Sequence, residues 1–525
     1  MRRGSEERDL PATEALVRFL MSPATHRLHG ETVRLVETHG AYVFLAGATA
    51  YKMKKPVDLG YFDFTTLAER EADSRREVAL NRRTAPHIYR RVVAVTRNDE
   101  GELAIGGDGE PVEWLVEMAR FDERQVLDAA VARDARVLSF ALVEKLAAAI
   151  AAFHQQAERT TAHGGAAAAA EVVRANGRQF DELGDVLDPA VAGGNTSASL
   201  KLVDREARRL DVRRDTGFVR RCHGDLHLGN IVLIDGAPVP FDCIEFSDDF
   251  ACIDVLYDLA FLVMDLDHRG FGAPATLLLG RYILSLGDEE AMADLEGLAL
   301  LPLFLSCRAA IRAHVTARQS RNASLSESAR EEARQNACGY LAAARRYLEM
   351  SPPALVAIGG LSGTGKSALA RALAPKLGSA PGALVLRSDE LRKRRFGVAP
   401  SARLPEGAYG SDTSAAVYED QRRFAAAALA AGRSVIADAV FARPDEREAI
   451  EAAAIPHAFT GLWLEAPREV LEERIRGRSD DASDASVAVL ERQLSYDLGP
   501  MIWRKIDASP DIDAVVRAAE AEIRR

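Results

Sequence analysis

Eight residues at the start of the last third, Gly360-Leu361-Ser362-Gly363-Thr364-Gly365-Lys366-Ser367, have the types and spacing that hold a triphosphate. Gly360, Gly363, Thr364 and Gly365 would turn successive backbone N–H groups inward around phosphate oxygens, and a following helix N-terminus would add its dipole. Lys366 would reach the β- and γ-phosphates, and the Ser367 hydroxyl would ligate Mg²⁺. The strand-like run Leu355–Ile358 before this P-loop and the helix-like run Ala368–Leu377 after it are the flanks the motif requires. Two further strand candidates end in carboxylates: Leu384-Val-Leu-Arg-Ser-Asp389, and Ser434-Val-Ile-Ala-Asp438. A carboxylate at that end faces the ligand crevice of a doubly wound sheet. There Asp389 could take a proton from an acceptor hydroxyl, or serve as an N-cap, or both. Asp438 stands where an acid acts on Mg²⁺ through water. Arg474 and Arg478, four residues apart on one predicted helix, would face the same way and could stabilise charge on a group in transfer; a solvated face shared with Glu472 and Glu473 is the plainer alternative. A guanine-reading NKxD pattern is missing, which argues against a GTPase.

A second constellation lies upstream in Cys222-His223-Gly224-Asp225-Leu226-His227-Leu228-Gly229-Asn230. Asp225 and Asn230 stand at the spacing of a proton-accepting Asp and a Mg²⁺-holding Asn in protein kinases. A predicted hairpin, Ile231–Ile234 and Pro238–Phe241 around Asp235-Gly236, then delivers Asp242 to the place of a second Mg²⁺ carboxylate. His227 reads as a structural or surface residue. Such a site needs a strand lysine and a helix glutamate. Lys52 and Lys54 share one face of a predicted strand, with Lys52 favoured for contact with the phosphates. Glu77 is the expected partner, with Glu71 in reserve. Resemblance to the kinase-like fold implies that the strand Glu113–Met118 is the hinge, whose backbone at Glu117 and Met118 could read adenine. A strict glycine-rich phosphate loop is missing, and Ala46-Gly47-Ala48-Thr49 is a poor substitute. The acids Glu245, Asp248, Asp249 and Asp254 would suit a cationic substrate, although Mg²⁺ ligation plus a solvated acidic loop is the preferred reading.

The elements that must position these residues follow from periodicity and punctuation. Two strands, 41–47 and 50–54, form a hairpin pivoting on Gly47. A helix over Leu67–Thr84 stops at Pro86, and strands follow at Arg91–Thr96 and Pro111–Met118. From Leu138 to Arg345 the pattern is helical, interrupted by the β-rich Arg221–Phe246, with Gly164–Ala170 read as a mobile loop. Ser351-Pro352-Pro353 breaks the last helix, and strands then alternate with helices as in a parallel α/β domain. The expected organisation is a domain at 1–350, with an N-lobe at about 30–118 and a C-lobe at about 119–345, followed by a domain at 351–525. The fold class is thus an α+β unit, which resembles the protein kinases through its Asp225–Asn230 spacing, joined to an α/β P-loop unit with a parallel sheet.

Composition bounds the partners. The 525 residues are 48% hydrophobic and 28% charged, with a net charge of -11 and no basic arm, so nucleic acid is not the expected partner. No apolar leader opens the chain, and Leu298–Leu305 is too short to span a bilayer, so no membrane association is expected. Five scattered cysteines without a CxxC pair fit reduced, buried thiols and a cytoplasmic protein. Oligomeric state is not legible.

Two resemblances join these readings. The segment from Ala354 onward is similar to the gluconate-kinase and zeta-toxin-like P-loop kinases, through the P-loop, the SD-x-x-R at Ser388–Arg392, the DA-x-F at Asp438–Phe441, the ER-x-x-x-R at Glu473–Arg478 and the stretch Asp484–Gln493. "HGDLHxGN" with Asp242 and the "YDLA" at Tyr257–Ala260 resembles the aminoglycoside phosphotransferase and choline kinase branch of the kinase-like fold, over about residues 30–340. In that branch the helix Asp anchors the catalytic loop. The whole chain resembles bacterial fusions of the two. The resemblance implies ATP and Mg²⁺ as cofactors and a small-molecule hydroxyl as phosphate acceptor. The alternatives are a nucleotide-binding switch with little turnover, or a toxin-like kinase of nucleotide sugars.

Overall fold

The computed structural model describes residues 13–60, 62–399, 402–477, 483–484 and 486–525. The chain divides into two compact units, one of residues 1–137, 153–163 and 217–258, the other of 138–152, 164–216 and 259–525. The expected boundary at 350/351 lies inside the second unit.

The first unit is built on a six-stranded sheet in the order β1-β2-β3-β6-β4-β5: β1 Arg34–Glu37, β2 Ala41–Ala46, β3 Thr49–Lys54, β4 Tyr89–Arg97, β5 Leu103–Ile105 and β6 Glu110–Ala119. All its pairings are antiparallel. Gly47 turns the β2–β3 hairpin at φ 57°, as its position in the sequence predicts. The helix Leu67–Asn81 opens with a reciprocal capping box, Thr66 bonding the Glu69 amide while Glu69 reaches back to the Thr66 amide. Phe44, Met53, Val95 and Leu115 form one core, shared with Leu16 and Leu20 of a helix over 13–21. That helix and β1 were not foreseen. Two short strand pairs complete the unit: β7 Val219–Arg221 with β10 Cys252–Asp254, and the hairpin β8 Ile231–Ile234 with β9 Ala237–Pro240. Asp235 and Gly236, both at positive φ, close the hairpin as its two-residue loop demands.

The second unit holds the helices Gly165–Asp181, Pro189–Asp215, Gly272–Leu284, Asp288–Gly297, Leu301–Ser320 and Glu327–Tyr347. Its sheet is parallel, with β11 Ala354–Gly360, β12 Leu384–Arg387, β13 Val435–Asp438, β14 Ala458–Glu465 and β15 Arg504–Asp507 in the order β12-β13-β11-β14-β15. Its core of Val356, Ile358, Leu369, Ile436, Leu462 and Leu464 is close to fully buried. The chain fills one side of β11 and then crosses to the other, so the strand order reverses beside it, where α/β sheets bind ligands.

Two readings are corrected. Gly164–Ala170 is no mobile loop: the helix Gly165–Asp181 begins there, because five alanines carry the strongest helix propensity and only the glycine pair, at φ 75° and 76°, lies outside helical geometry. Four cysteines are buried as expected, but Cys338 is exposed. The run Asp288–Ser320 is long and apolar enough to cross a membrane by composition, yet 72% of its most apolar window is buried within the protein.

Candidate active sites

The upstream site begins with β3. Alternation puts Lys52 and Lys54 on one face of it, and both ammonium groups reach Glu77 on the helix Leu67–Asn81: Lys52 Nζ lies 2.8 Å from Oε1 and Lys54 Nζ 2.9 Å from Oε2. The two lysines then diverge. Lys52 Nζ donates to Asp242 Oδ1 at 2.8 Å. Lys54 donates to Glu245 at 2.6 Å and pairs with Asp73 at 2.6 Å, and its side chain is only 2% exposed. Lys52, at the partly exposed end, is therefore the lysine that accompanies Asp242. Burial disfavours its charge, but Asp242, Glu77 and Glu245 outweigh that and hold it well above the ordinary lysine range. Burial acts against Glu77 too, yet the two lysines pull it down to about 2. Glu245, buried and crowded by Glu77 and Asp73, is pushed up to about 8 despite Lys54.

The loop with Asp225 is fixed from behind. Asp258, fully buried, accepts the backbone N–H of His223 at 3.1 Å and of Gly224 at 2.8 Å, and pairs with His154 Nε2 at 3.1 Å. His223 in turn bonds the Phe241 carbonyl at 3.0 Å, and its own carbonyl accepts from Ile244 at 2.9 Å. The stretch carrying Asp242 is thereby tied to the stretch carrying Asp225. Asn230 Nδ2 donates to Asp225 Oδ2 at 2.9 Å, and the Phe241 N–H bonds the Asn230 carbonyl at 2.9 Å. Asp242 sits at φ 60°, rare for a non-glycine residue, with its N–H on the Tyr89 hydroxyl at 3.1 Å. His227, read as structural, accepts from Gly229 N at 3.1 Å, and its Nε2 lies 3.4 Å from Asp225 Oδ2. Lys52, Glu77, Asp225, Asn230 and Asp242 are thus one constellation.

Two expectations around it change. Glu117 and Met118 lie inside β6, paired with β3 on one side and β4 on the other. Their backbone is committed to the ladder rather than free to read a base, and the Glu117 side chain pairs with Arg91 at 2.9 Å. The acidic run is also spoken for: Glu245 by Lys54, Asp248 by Arg221 at 3.0 Å, Asp249 by His163 at 2.8 Å, and Asp254 by the Leu256 amide at 2.8 Å. These partners account for the acidity by internal pairing, and the burial of Glu245 and Asp254 departs from the solvated loop expected of them.

In the second unit the P-loop joins β11 to the helix Lys366–Leu373. Gly363 and Gly365 stand at φ 90° and 88°, and a Cβ on Gly363 would come within 2.7 Å of the Leu471 carbonyl oxygen. Only glycine fits there. Lys366 Nζ donates to the Gly360 carbonyl at 2.7 Å and the Leu361 carbonyl at 3.0 Å. Ser367 Oγ donates to Asp438 Oδ2 at 2.6 Å, so a hydroxyl and a carboxylate from different elements meet. Gly363, Gly365, Lys366, Ser367 and Asp438 line a cavity of about 580 Å³ together with Asp389, Arg392, Tyr409, Tyr418 and Arg474. Burial raises the carboxyl of Asp389, as does Asp438, while Arg387 and Lys366 oppose the shift. That tuning suits a group that takes up a proton. Gln493, from the stretch quoted for its resemblance, accepts from the Ser362 amide at 2.7 Å. Arg474 faces the loop, 3.9 Å from a Cβ built on Gly365; Arg478 lies outside the described residues. Thr364 donates to the Leu361 carbonyl at 2.8 Å and helps close the loop. Sequence reasoning missed Lys54 with Glu245, and Arg387 with Glu390; charged residues at isolated positions carry no local signal of their partners.

Both donor sets fit Mg²⁺, a hard cation that takes oxygen ligands. The paired Ser367 and Asp438 oxygens would serve one site, and Asp242 and Asn230, with Asp225 hydrogen-bonded to Asn230, the other. The positive-φ glycines ahead of a helix N-terminus fit a phosphate chain.

A six-stranded sheet bearing a lysine paired to a helix glutamate, with an Asp–Asn loop and a further Asp beside it, makes a protein-kinase-like phosphotransferase unit. The chain belongs to the phosphotransferase enzyme family, whose model matches residues 31–295, and a second model, described as an AAA domain, matches residues 355–497. Uncharacterized proteins of Mycobacterium tuberculosis and Mycobacterium bovis are 31% identical over 480 residues, covering 89% of this chain and 91% of theirs. Among solved structures, a gluconokinase from Sinorhizobium meliloti is 22% identical over 33% of this chain and 93% of its own, with a TM-score of 0.24. A choline/ethanolamine kinase family protein from Mesorhizobium loti is 14% identical over 63% and 99%, with a TM-score of 0.35.

Proposed function

We propose that the protein is an ATP-dependent phosphotransferase with two nucleotide sites, each passing the γ-phosphoryl group of ATP to a hydroxyl of a small molecule. The observation that carries this reading is the pairing Glu77–Lys52–Asp242 beside Asn230–Asp225. In the first site Glu77 holds Lys52 toward the α- and β-phosphates, while Asp242 and Asn230 would hold Mg²⁺. Asp225 takes the acceptor proton as the hydroxyl oxygen bonds to phosphorus and the bond to ADP breaks. In the second, the P-loop amides and Lys366 grip the triphosphate, Ser367 and Asp438 are the residues that would hold Mg²⁺, Asp389 orients and deprotonates the acceptor, and Arg474 and Arg478 offset developing charge. Bound Mg²⁺ would supply charge neutralisation on the phosphate oxygens. The reading needs no nucleic-acid or membrane partner and is consistent with a cytoplasmic protein.

The test is ATP consumption by the full chain against a panel of hydroxylated metabolites and aminoglycosides. Asp225→Asn should remove turnover with one set of acceptors and Lys366→Ala with another. If no acceptor sustains turnover, the enzyme reading gives way to a nucleotide-binding switch. Loss confined to Lys366→Ala with a nucleotide-sugar acceptor would select the toxin-like alternative.

A further inference from the structure

Glu390 follows Asp389 on the helix Ser388–Arg395 and is buried. Two guanidinium groups share its carboxylate. Arg387, at the end of β12, donates to Oε1 at 2.8 Å. Arg281, on the helix Gly272–Leu284, engages both oxygens as a fork. Behind it, Arg281 Nε lies 3.0 Å from Glu144 and its guanidinium stacks 5.0 Å from the centre of the Phe140 ring. At the other end, Arg387 Nε lies 3.3 Å from Asp438 Oδ2, the same oxygen that accepts from Ser367. The result is a row of alternating charge: Glu144, Arg281, Glu390, Arg387, Asp438. The side chains from Arg281 to Asp438 are all under 9% exposed.

Burial makes each member dependent on its neighbours, because a lost partner leaves an uncompensated charge in a poorly screened place. With two cations on Glu390, Arg387 can serve Asp438 as well. Without Arg281, Glu390 would claim Arg387, and the carboxylate at the Mg²⁺ end would lose its counter-charge. The residue that prevents this lies outside the 355–497 match and inside the 31–295 match. The same helix also meets the parallel-sheet region through Thr276 Oγ, which donates to the Pro381 carbonyl at 2.9 Å.

We propose that Arg281 is a positioning residue of the P-loop site, so that this site is complete only with the helix Gly272–Leu284 in place. The inference rests on the reading of the P-loop as a phosphoryl-transfer site.

The test uses the full chain and a fluorescent ATP analogue, titrated with Mg²⁺ and again with EDTA; the signal lost in Lys366→Ala defines the P-loop share. Arg281→Leu should weaken the Mg²⁺-dependent binding of that share about tenfold and leave the EDTA value within a factor of about two. Arg281→Lys should recover most of the loss. The pair Arg281→Leu with Glu390→Gln should also recover it, since Arg387 is then released to Asp438, and this pair serves if the single variant does not fold. Thr276→Val breaks the same packing without touching the charged row and should leave both values unchanged. An Arg281→Leu protein that binds like the parent while Lys366→Ala loses its share overturns the inference alone. Equal effects of Thr276→Val and Arg281→Leu also overturn it, because the contact is then merely structural. No loss in Lys366→Ala overturns the P-loop reading and this inference together.

Discussion

Replacing Glu77 by Gln keeps the shape of the side chain and removes one charge from the centre of the upstream site. Glu77 is fully buried between two ammonium groups at 2.8 and 2.9 Å. Stripping one partner from a buried ion pair costs about 3–5 kcal/mol. Here the loss is cushioned, because Lys54 keeps Asp73 and Glu245 at 2.6 Å each and Lys52 keeps Asp242 at 2.8 Å. Glu245, relieved of a like charge, would also ionise more readily. The expected cost is therefore about 2–3 kcal/mol at neutral pH, or about 4–12 °C in the melting temperature of a unit this size. Lys54→Met should cost more, about 3–5 kcal/mol, since it leaves three carboxylates without their shared cation. The two losses should not add: the double variant should be more stable than their sum by over about 1 kcal/mol, as expected of contacting charges. Calorimetry of the four proteins measures the cycle. Alongside it, Glu77→Gln should lower kcat/KM for ATP at the first site by about 10²-fold, because Lys52 loses the group that aims it. A Glu77→Gln protein that melts within a degree of the parent and uses ATP equally well would refute the reasoning.

Three further outcomes are expected. Burial pushes the Glu245 carboxyl up to about 8 from an ordinary value of 4.5, so the folded state should bind the extra proton and stability should fall as pH rises between these values; Glu245→Gln should remove up to about 1.4 kcal/mol per pH unit of that slope in denaturant titrations at pH 5 to 8. Asp258→Asn replaces an acceptor of two backbone N–H groups and should destabilise the first unit by about 2–4 kcal/mol, with Asp225-dependent turnover lost before the unit unfolds. Ser367→Ala removes the hydroxyl that meets Asp438 and should raise the half-saturating Mg²⁺ of P-loop turnover about tenfold, while the Asp225-dependent reaction keeps its Mg²⁺ requirement.

What was legible in the sequence is what short spacing controls. The P-loop, the Asp225–Asn230 interval, the Gly47 hairpin and the alternation of Lys52 with Lys54 are set by a few consecutive residues, and their geometry follows from local backbone rules. Choosing Lys52 over Lys54 needed the fold, because the choice is made by Asp242 and Glu245, 190 and 191 residues away in the chain. Arg281 and Glu390, 109 residues apart, carry no sign of each other in isolation. The Gly164–Ala170 reading failed because a glycine pair was weighed above the five alanines behind it. The Glu117–Met118 reading failed because an isolated strand does not reveal that it is flanked on both sides.

The cysteine distribution gives the protein a chemical handle. Cys222, Cys243 and Cys307 are buried, with thiols pushed up by desolvation, and Cys252 is shifted the same way. Cys338 alone is exposed, on the helix Glu327–Tyr347. A maleimide dye should therefore add once to the native protein and five times after denaturation, marking the second unit at a single point without engineering. Mass spectrometry reads the stoichiometry, and a second fast adduct would signal that a buried thiol had opened to solvent.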